Sequence, residues 1–478
     1  MVTFGWNTLM RSYAALSAIA ILCVFSSCEQ SSPTDIKPNV IFINVDDLGW
    51  MDAVFQGSNY YETPNIDRLA KEGMVFTQGY AGAANCAPSR ACLISGQNTP
   101  RHGIYTVGSS ERGKAGDRKI IPTPNNEVLP DSVLTMAEMF KMAGYTTGTF
   151  GKWHLGDDPM TQGFDVNIGG SHRGNPGKNG YFSPYNVDHL EDGPDGEHLT
   201  DRLTDEALDF ISRNQKNPFF LYLPYYAVHT PILGKQELID KYKNKKSTEG
   251  QSNPVYAAMV ETVDDNVGRI LTGLETLGLA DNTVVIFTSD NGGIRAISSQ
   301  HPLRAGKGSY YEGGIRVPYI IKWPGTATAG TRSDYPIVNL DFFPTFREML
   351  QIDLQKKLVD GISLMPLLQG QKPSQRPLFW HFPIYLQAYS QEKDDGRDPL
   401  FRTRPGSVIR LGDWKLHQYF EDGAVELYNL KDDLGERNNL VKERPQKTKE
   451  LLNLLEQWRE EVNATVPDEL NPAYNPIN

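Results

Sequence analysis

Apolar residues in this chain follow two rhythms. Short unbroken runs, rich in β-branched residues, stop abruptly at acidic or glycine positions, as strands buried on both faces of a parallel sheet do. "NVIFINVDDLG" (residues 39–49) ends in Asp46, Asp47 and Gly49, and "NTVVIFTSDNGG" (residues 282–293) ends in Asp290, Asn291 and two glycines. "YTTGTFG" (145–151) and "PFFLYLPYY" (218–226) predict two more strands. Between these runs the period lengthens to that of a helix. Val133, Ala137 and Phe140 share a face after Asp131 and Ser132, and Met259, Val263, Val267, Ile270, Leu274 and Leu277 form a longer stripe. The alternation predicts an α/β domain built on a large, mostly parallel central sheet.

The pattern changes at residues 370–377, "GQKPSQRP", which are polar and proline-containing. Beyond them "PGSVIRLGDWKLHQYF" and "AVELYNL" predict antiparallel strands around the turn "EDGA", and residues 445–462 predict a closing amphipathic helix. The expected division is therefore a main domain over residues 38–370 and a smaller α+β subdomain over 371–478. At the other end, Arg11 precedes an apolar run at residues 14–25, the length of a signal-peptide core and too short to span a bilayer. "FSSC", ending at Cys28, is similar to a lipobox, and the polar "EQSSPTD" follows as a tether. These features predict a signal peptide over residues 1–28, a tether over 29–37, and an exported protein in the periplasm or at the cell surface. Its only membrane contact would be a lipid on Cys28.

Composition narrows the chemistry. With 478 residues, 39% of them hydrophobic, a buried and rigid site is feasible. The formal charge of −11 and the lack of any Lys/Arg run exclude nucleic acid as an expected partner. An anionic substrate must instead meet a local group of cations that works against the overall field. Of four cysteines, Cys23 and Cys28 lie in the leader, leaving Cys86 and Cys92. That pair, with a proline between them, would be an odd sole staple for a large domain, and two thiols do not make a zinc site. A chemical role for Cys86 gains weight accordingly.

In a parallel sheet the C-terminal strand ends line one edge, where ligands bind. Asp46, Asp47, Asp290 and Asn291 sit at such ends and offer only oxygen, which suits Ca²⁺ or Mg²⁺. Acidic pairs also serve as caps and turns; their recurrence in the same setting favours the metal. "GKWHLG" adds Lys152 and His154 past one strand, "AVHTP" adds His229 past another, and "RAGKGSYYEGGIRVP" adds Lys307 in a glycine-flanked loop.

"CAPSRACLISG" (residues 86–96) resembles the signature of the type I sulfatases, in which the cysteine is oxidised to formylglycine; Ile94 stands where that family usually has Leu. "NVDDLG", "GKWHLG", "HTP", "SDNGG", "GKGSYYEGGIRVP" and "ELYNLKDDLGERNNL" follow in the family's order, over residues 38–440, with "DDLGE" in place of a common Asp-Pro turn. The resemblance implies an alkaline-phosphatase-like sandwich and a Ca²⁺ held by Asp46, Asp47, Asp290, Asn291 and residue 86. It implies a formylglycine nucleophile made from Cys86 by a maturation enzyme, attacking sulfur as its hydrate, with Asp290 receiving the proton. Arg90 would steady the modified residue, while Lys152 and Lys307 would neutralise sulfate oxygens. His229 would protonate the leaving alcohol, and His154 would help release sulfate.

The same resemblance implies a sulfated polysaccharide or oligosaccharide as substrate, an algal galactan, carrageenan or ulvan, or a glycosaminoglycan. The loop "GGSHRGNPGKNGYFSPYN" (169–186) and the segment "HLEDGPDGEHLTDRLTDEA" are most like those of sulfatases acting on galactose or N-acetylgalactosamine, and point to a galacto-configured 4-O-sulfate. His172, Arg173, His301, Arg304, His381 and Arg404 are the expected substrate contacts. Two other readings remain at this stage: a phosphoester or phosphonate hydrolase of the same superfamily, and a non-catalytic sulfated-glycan binder should Cys86 stay a thiol.

Overall fold

A computed structural model describes residues 37–354 and 359–475. The leader, the tether before Lys37 and Cys28 lie outside the described residues. An eight-stranded sheet forms the centre, in the spatial order Val166–Ile168, Thr146–Phe150, Phe219–Tyr225, Asn39–Val45, Thr283–Ser289, Tyr319–Lys322, Met74–Phe76, Thr331–Ser333. All neighbours run parallel except Tyr319–Lys322, which opposes both of its partners. The three middle strands are the apolar runs expected from the sequence, and every residue in them is buried. They are unbroken because both sheet faces are covered: Ile41, Ile43, Leu221, Leu223, Val285 and Phe287 join one core, and Val40, Phe42, Phe220, Tyr222, Val284 and Ile286 join the other.

Register places the site. Val45 is level with Tyr225 on one side and Ser289 on the other, so Asp46, Tyr226 and Asp290 emerge side by side at one edge. The long helix Pro254–Thr276 carries the predicted stripe against this sheet, capped at its start by Asn253, whose side chain accepts from the amides of Val255 and Tyr256. The helix at Met136–Met142 begins later than its apolar spacing suggests. Thr135 and Glu138 form a reciprocal capping box there, leaving Val133 in the preceding turn.

The C-terminal part is a four-stranded antiparallel sheet in the order Pro377–Phe382, Gly406–Leu411, Trp414–Tyr419, Val425–Asn429. Helix Pro445–Glu461 covers one of its faces through Leu451, Leu455 and Trp458 against Ile409, Leu416 and Leu427. Trp458 also stacks on Phe379, with centroids 4.6 Å apart. The chain then returns to the main body, where Ile121 donates to Glu469 O at 2.8 Å and Asn471 to Lys119 O at 2.9 Å. Among the described residues no helix is long and apolar enough to cross a membrane.

Leu455 is fully buried in the seam between this helix and sheet. Leu455→Ala is expected to lower unfolding stability by about 2–5 kcal/mol, read as a shifted denaturation midpoint. An unchanged midpoint would mean that the helix contributes nothing to the fold.

Candidate active site

Cys86 is the first residue of helix Cys86–Ser95, preceded by Asn85 in extended conformation, and all ten helical residues are buried. Pro88 falls in the first turn, where its missing N–H would have had no helical partner. Pro88 and Ser89 therefore lie inside a helix rather than in a turn. Four residues on, Arg90 points back towards the strand ends. Its Nε donates to Asp290 Oδ2 at 2.9 Å and its Nη2 lies 2.8 Å from the same oxygen and 3.7 Å from Asp46 Oδ1. Its Nη1 donates to Lys152 O at 2.6 Å.

The two lysines divide the other carboxylates. Lys152 Nζ, wholly buried just past strand Thr146–Phe150, donates to Asp46 Oδ2 at 2.6 Å. Lys307 Nζ lies 2.7 and 2.8 Å from the two oxygens of Asp47. Asp47 also accepts from Asn291 Nδ2 at 2.8 Å, and its own amide donates to Asp290 Oδ1 at 3.2 Å. The strand-end residues Asp46, Asp47, Asp290 and Asn291 thus converge with Cys86, Arg90, Lys152 and Lys307.

Burial and like charge set the titration of this group. Burial pushes Asp46 upward, Lys152 opposes it, and the carboxylates of Asp290 and Asp47 add to it, so Asp46 stands well above the usual range. Burial also pushes Asp47 up, but Lys307, His229 and Lys152 outweigh it and hold it low. Asp290 is likewise lowered, Arg90 and Lys152 prevailing over burial. Lys307 is raised well above an ordinary lysine, since Asp47 and Cys86 overcome its burial.

A divalent cation fits these donors. One ligand atom each from Asp46, Asp47 and Cys86 lies within 4.8 Å of the others. The buried Asp46 Oδ1 and Asn291 Oδ1 accept no hydrogen bond from the protein. Orphaned, all-oxygen acceptors beside three carboxylates are what a hard ion satisfies.

Both expected histidines face this cluster. His229 Nε2 is 3.8 Å from Asp47 Oδ2, and its Nδ1 lies 2.6 Å from Thr230 O, which fixes that nitrogen as the protonated one. Burial, with Lys307 and Lys152 adding to it, lowers His229 to about 3. His154, with φ of 65°, is buried and lowered by burial and by Lys152, and its Nδ1 has no hydrogen-bond partner.

The expected substrate contacts divide. His172 is half exposed, with its ring edge-on to His154 at 6.3 Å, and the exposed Arg173 pairs with Asp188 at 3.2 Å. His301 is exposed on a loop. Three others are corrected. His381 is buried within the C-terminal sheet, with Nδ1 on Ser407 Oγ at 2.8 Å and Nε2 on Thr465 O at 3.0 Å, so it has no nitrogen left for a substrate. Arg404 is held by Asp398 and Glu421, each at 2.6 Å. Arg304 lies over Tyr311 and donates to Tyr428 and to three backbone carbonyls, those of Asp395, Gly396 and Glu436. All three tie the C-terminal segments in place.

Sequence reasoning missed the groups that aim this machinery. The Tyr181 hydroxyl lies 2.6 Å from Tyr226 O and 2.8 Å from His229 O, and Arg402 donates to Lys307 O at 3.0 Å. Tyr181 sits within a loop quoted above, yet nothing local marks it as a support for a residue 48 positions away.

A sheet edge that gathers carboxylates, cations and a helix-initiating cysteine defines a hydrolase of the alkaline-phosphatase-like fold class. The Sulfatase family profile matches residues 38–352, and that of the "N-sulphoglucosamine sulphohydrolase, C-terminal" family matches residues 306–464. A sulfatase of Formosa agariphila is 36% identical over 95% of this chain and 94% of its own length. The human N-acetylgalactosamine-6-sulfatase is 34% identical over 72% of this chain and 68% of its own. The crystal structure of Ps i-CgsB in complex with k-i-k-neocarrahexaose superposes with a TM-score of 0.72 at 29% identity, covering 88% of this chain and 92% of that one. The chain belongs to the sulfatase family and is a sulfuric ester hydrolase.

Buried neutral histidines away from the metal ligands make stability depend on pH. Burial lowers His102 and His381 to about 3 and His198 to about 4, against 6.5 for a free imidazole. The unfolded chain therefore binds more protons below about pH 6.5, and stability falls as pH drops from there towards the folded values. His102 and His381 together are expected to remove on the order of 2 kcal/mol between pH 7 and 5.5. Denaturant midpoints at the two pH values check this; a midpoint that rises at pH 5.5 contradicts it.

Proposed function

We propose that this sulfatase removes O-sulfate from a glycan with galacto-configured units, using Cys86 oxidised to formylglycine and a Ca²⁺ ion held by Asp46, Asp47, Asp290, Asn291 and residue 86. The observation that carries the reading is the buried meeting of Cys86 with Asp46 and Asp47, flanked by two immobilised lysines. When present, the aldehyde hydrate supplies an oxygen nucleophile and the ion polarises the ester.

The chain's own residues do the rest. Arg90 fixes Asp290 and Asp46 from the helix that carries residue 86, so nucleophile and metal ligands share one rigid support. Lys152 and Lys307 stand ready for the sulfate oxygens, each held by a carboxylate, and need no rearrangement as charge shifts between those oxygens. His229 rests neutral with Nε2 bare. Burial is the main cause of that, with Lys307 and Lys152 adding to it; an anionic ester counters the lysines and so favours the imidazolium, whose Nε2 proton would go to the departing alcohol. His154, also neutral, offers Nδ1 as the base that frees sulfate. The signal-like leader supports an exported, lipid-anchored enzyme acting on external glycans.

A galacto-configured substrate is supported by the 169–186 loop pattern, by relatives named N-acetylgalactosamine-6-sulfatase, and by the neocarrahexaose complex of Ps i-CgsB. The loop points to the 4-sulfate; the names of those relatives favour the 6-sulfate as a second reading.

Protein co-expressed with a maturation enzyme is expected to show a loss of about 18 Da on the Cys86 peptide, the change from thiol to aldehyde. It should release free sulfate from galacto-configured 4- or 6-sulfated oligosaccharides. Lys307→Ala that folds normally should lose on the order of 10²-fold or more in kcat. An unmodified Cys86 in protein that still turns over would falsify the formylglycine route, and release only from gluco-configured esters would overturn the sugar assignment.

A further inference from the structure

One aromatic side chain beside the sulfate-facing lysine is out of character with its surroundings. Around the Lys307 loop, Tyr310, Tyr311, Phe382 and Phe401 are buried, whereas Tyr389 is 52% exposed. Tyr389 is nevertheless fixed in place. Its amide donates to Asp394 Oδ2 at 2.6 Å, as does that of Ser390 at 3.2 Å, which ties down the turn that carries it. The guanidinium of Arg402 lies 3.4 Å from its ring centroid, covering one face and leaving the other for solvent.

Arg402 connects this ring to the catalytic floor. It is itself buried, and it donates through Nη1 to Lys307 O at 3.0 Å and through Nε to Gln387 O at 3.0 Å. Its approach depends on Gly308, whose φ is +88° and where a Cβ would stand 2.8 Å from Arg402 Nη1. One cation therefore holds both the backbone of the sulfate-neutralising lysine and the underside of an exposed aromatic ring.

We propose that the open face of Tyr389 is the platform on which the pyranose ring bearing the scissile sulfate stacks. An aromatic face carries negative potential and attracts the weakly positive C–H bonds of a sugar. In a galacto-configured ring the axial 4-oxygen leaves the hydrogens on carbons 3, 4 and 5 together on the opposite side, an apolar patch of matching size. With the sulfate on Lys152 and Lys307, a ring stacked on Tyr389 is oriented as well as bound. Arg402 is a positioning residue in this arrangement, and Tyr389 determines specificity.

This inference rests on the sulfated-glycan reading, and the test separates the two. Wild type, Tyr389→Ala and Tyr389→Phe are compared on galacto-configured sulfated disaccharides, with free sulfate as readout and inorganic sulfate as a competitive inhibitor. Tyr389→Ala is expected to lose about tenfold in kcat/KM, nearly all in KM, with the inhibition constant of sulfate unchanged, while Tyr389→Phe stays within about threefold of wild type. Equal kcat/KM in wild type and Tyr389→Ala overturns the platform and leaves the glycan reading intact. So does a loss in kcat accompanied by weaker sulfate inhibition, because that places the effect on Lys307 through Arg402. A wild type that cleaves simple aryl sulfates but no glycan overturns the glycan reading itself, and the platform with it.

Discussion

Three carboxylates with almost no access to water must be neutralised where they stand, and the arrangement of the molecule follows from that requirement. Asp46 and Asp47 come from the central strand, Asp290 from its neighbour, Arg90 from the helix begun by Cys86, Lys152 from a third strand end, and Lys307 from a loop near the opposed strand. Removing one member leaves its partner buried and unpaired, which typically costs about 3–5 kcal/mol. The ion pairs thus fix five separate segments relative to one another. The three formal positive charges equal the three negative ones, while two buried oxygens, on Asp46 and Asn291, stay unclaimed. A divalent ion there would make the floor net positive, so that an anionic ester finds a favourable field inside a chain whose overall charge is −11.

The C-terminal sheet is the second anchor of the same loop. Glu312, five residues beyond Lys307, is fully buried and contacts Lys415 at 2.9 Å; Lys415 in turn contacts Glu436 at 3.0 Å. Arg402 reaches the loop from another strand of that region. Lys307 is accordingly gripped from two sides, by the strand-end carboxylate it neutralises and by the subdomain that walls the site. This is why Arg304 and Arg404, cations in the right part of the chain, are occupied with internal carbonyls and carboxylates.

The strands, the two acidic strand ends and the cationic loop residues were readable because each is written locally, as an apolar run followed by polar residues or glycine. The helix at residues 86–95 was less readable, since a proline near its start looks like a turn until the position within the first helical turn is known. The late start at Met136 was in principle legible from the Thr-x-x-Glu spacing of Thr135 and Glu138, which the apolar period obscured. His381 was misread because an isolated histidine on a strand gives no sign of which face it occupies; in the fold, Ser407 and Thr465 claim both nitrogens. Tyr181 and Arg402 were invisible for a related reason. Each acts on a backbone carbonyl far along the chain, and a carbonyl leaves no trace in residue identity.

The burial of Cys86 also has a consequence in time. Residue 86 is 2% exposed at the start of a helix buried along its whole length, so no macromolecule can reach the thiol once the domain has closed. The segment around residues 469–475 hydrogen-bonds back to residues 116–121, so that part of the fold forms only after both stretches have been made. At ordinary elongation rates the stretch between Cys86 and that segment takes roughly 20–80 s to make. Any reagent too large to enter a packed interior would have to meet this thiol before the strands and helices around it have come together, whatever the rest of the chain is doing by then.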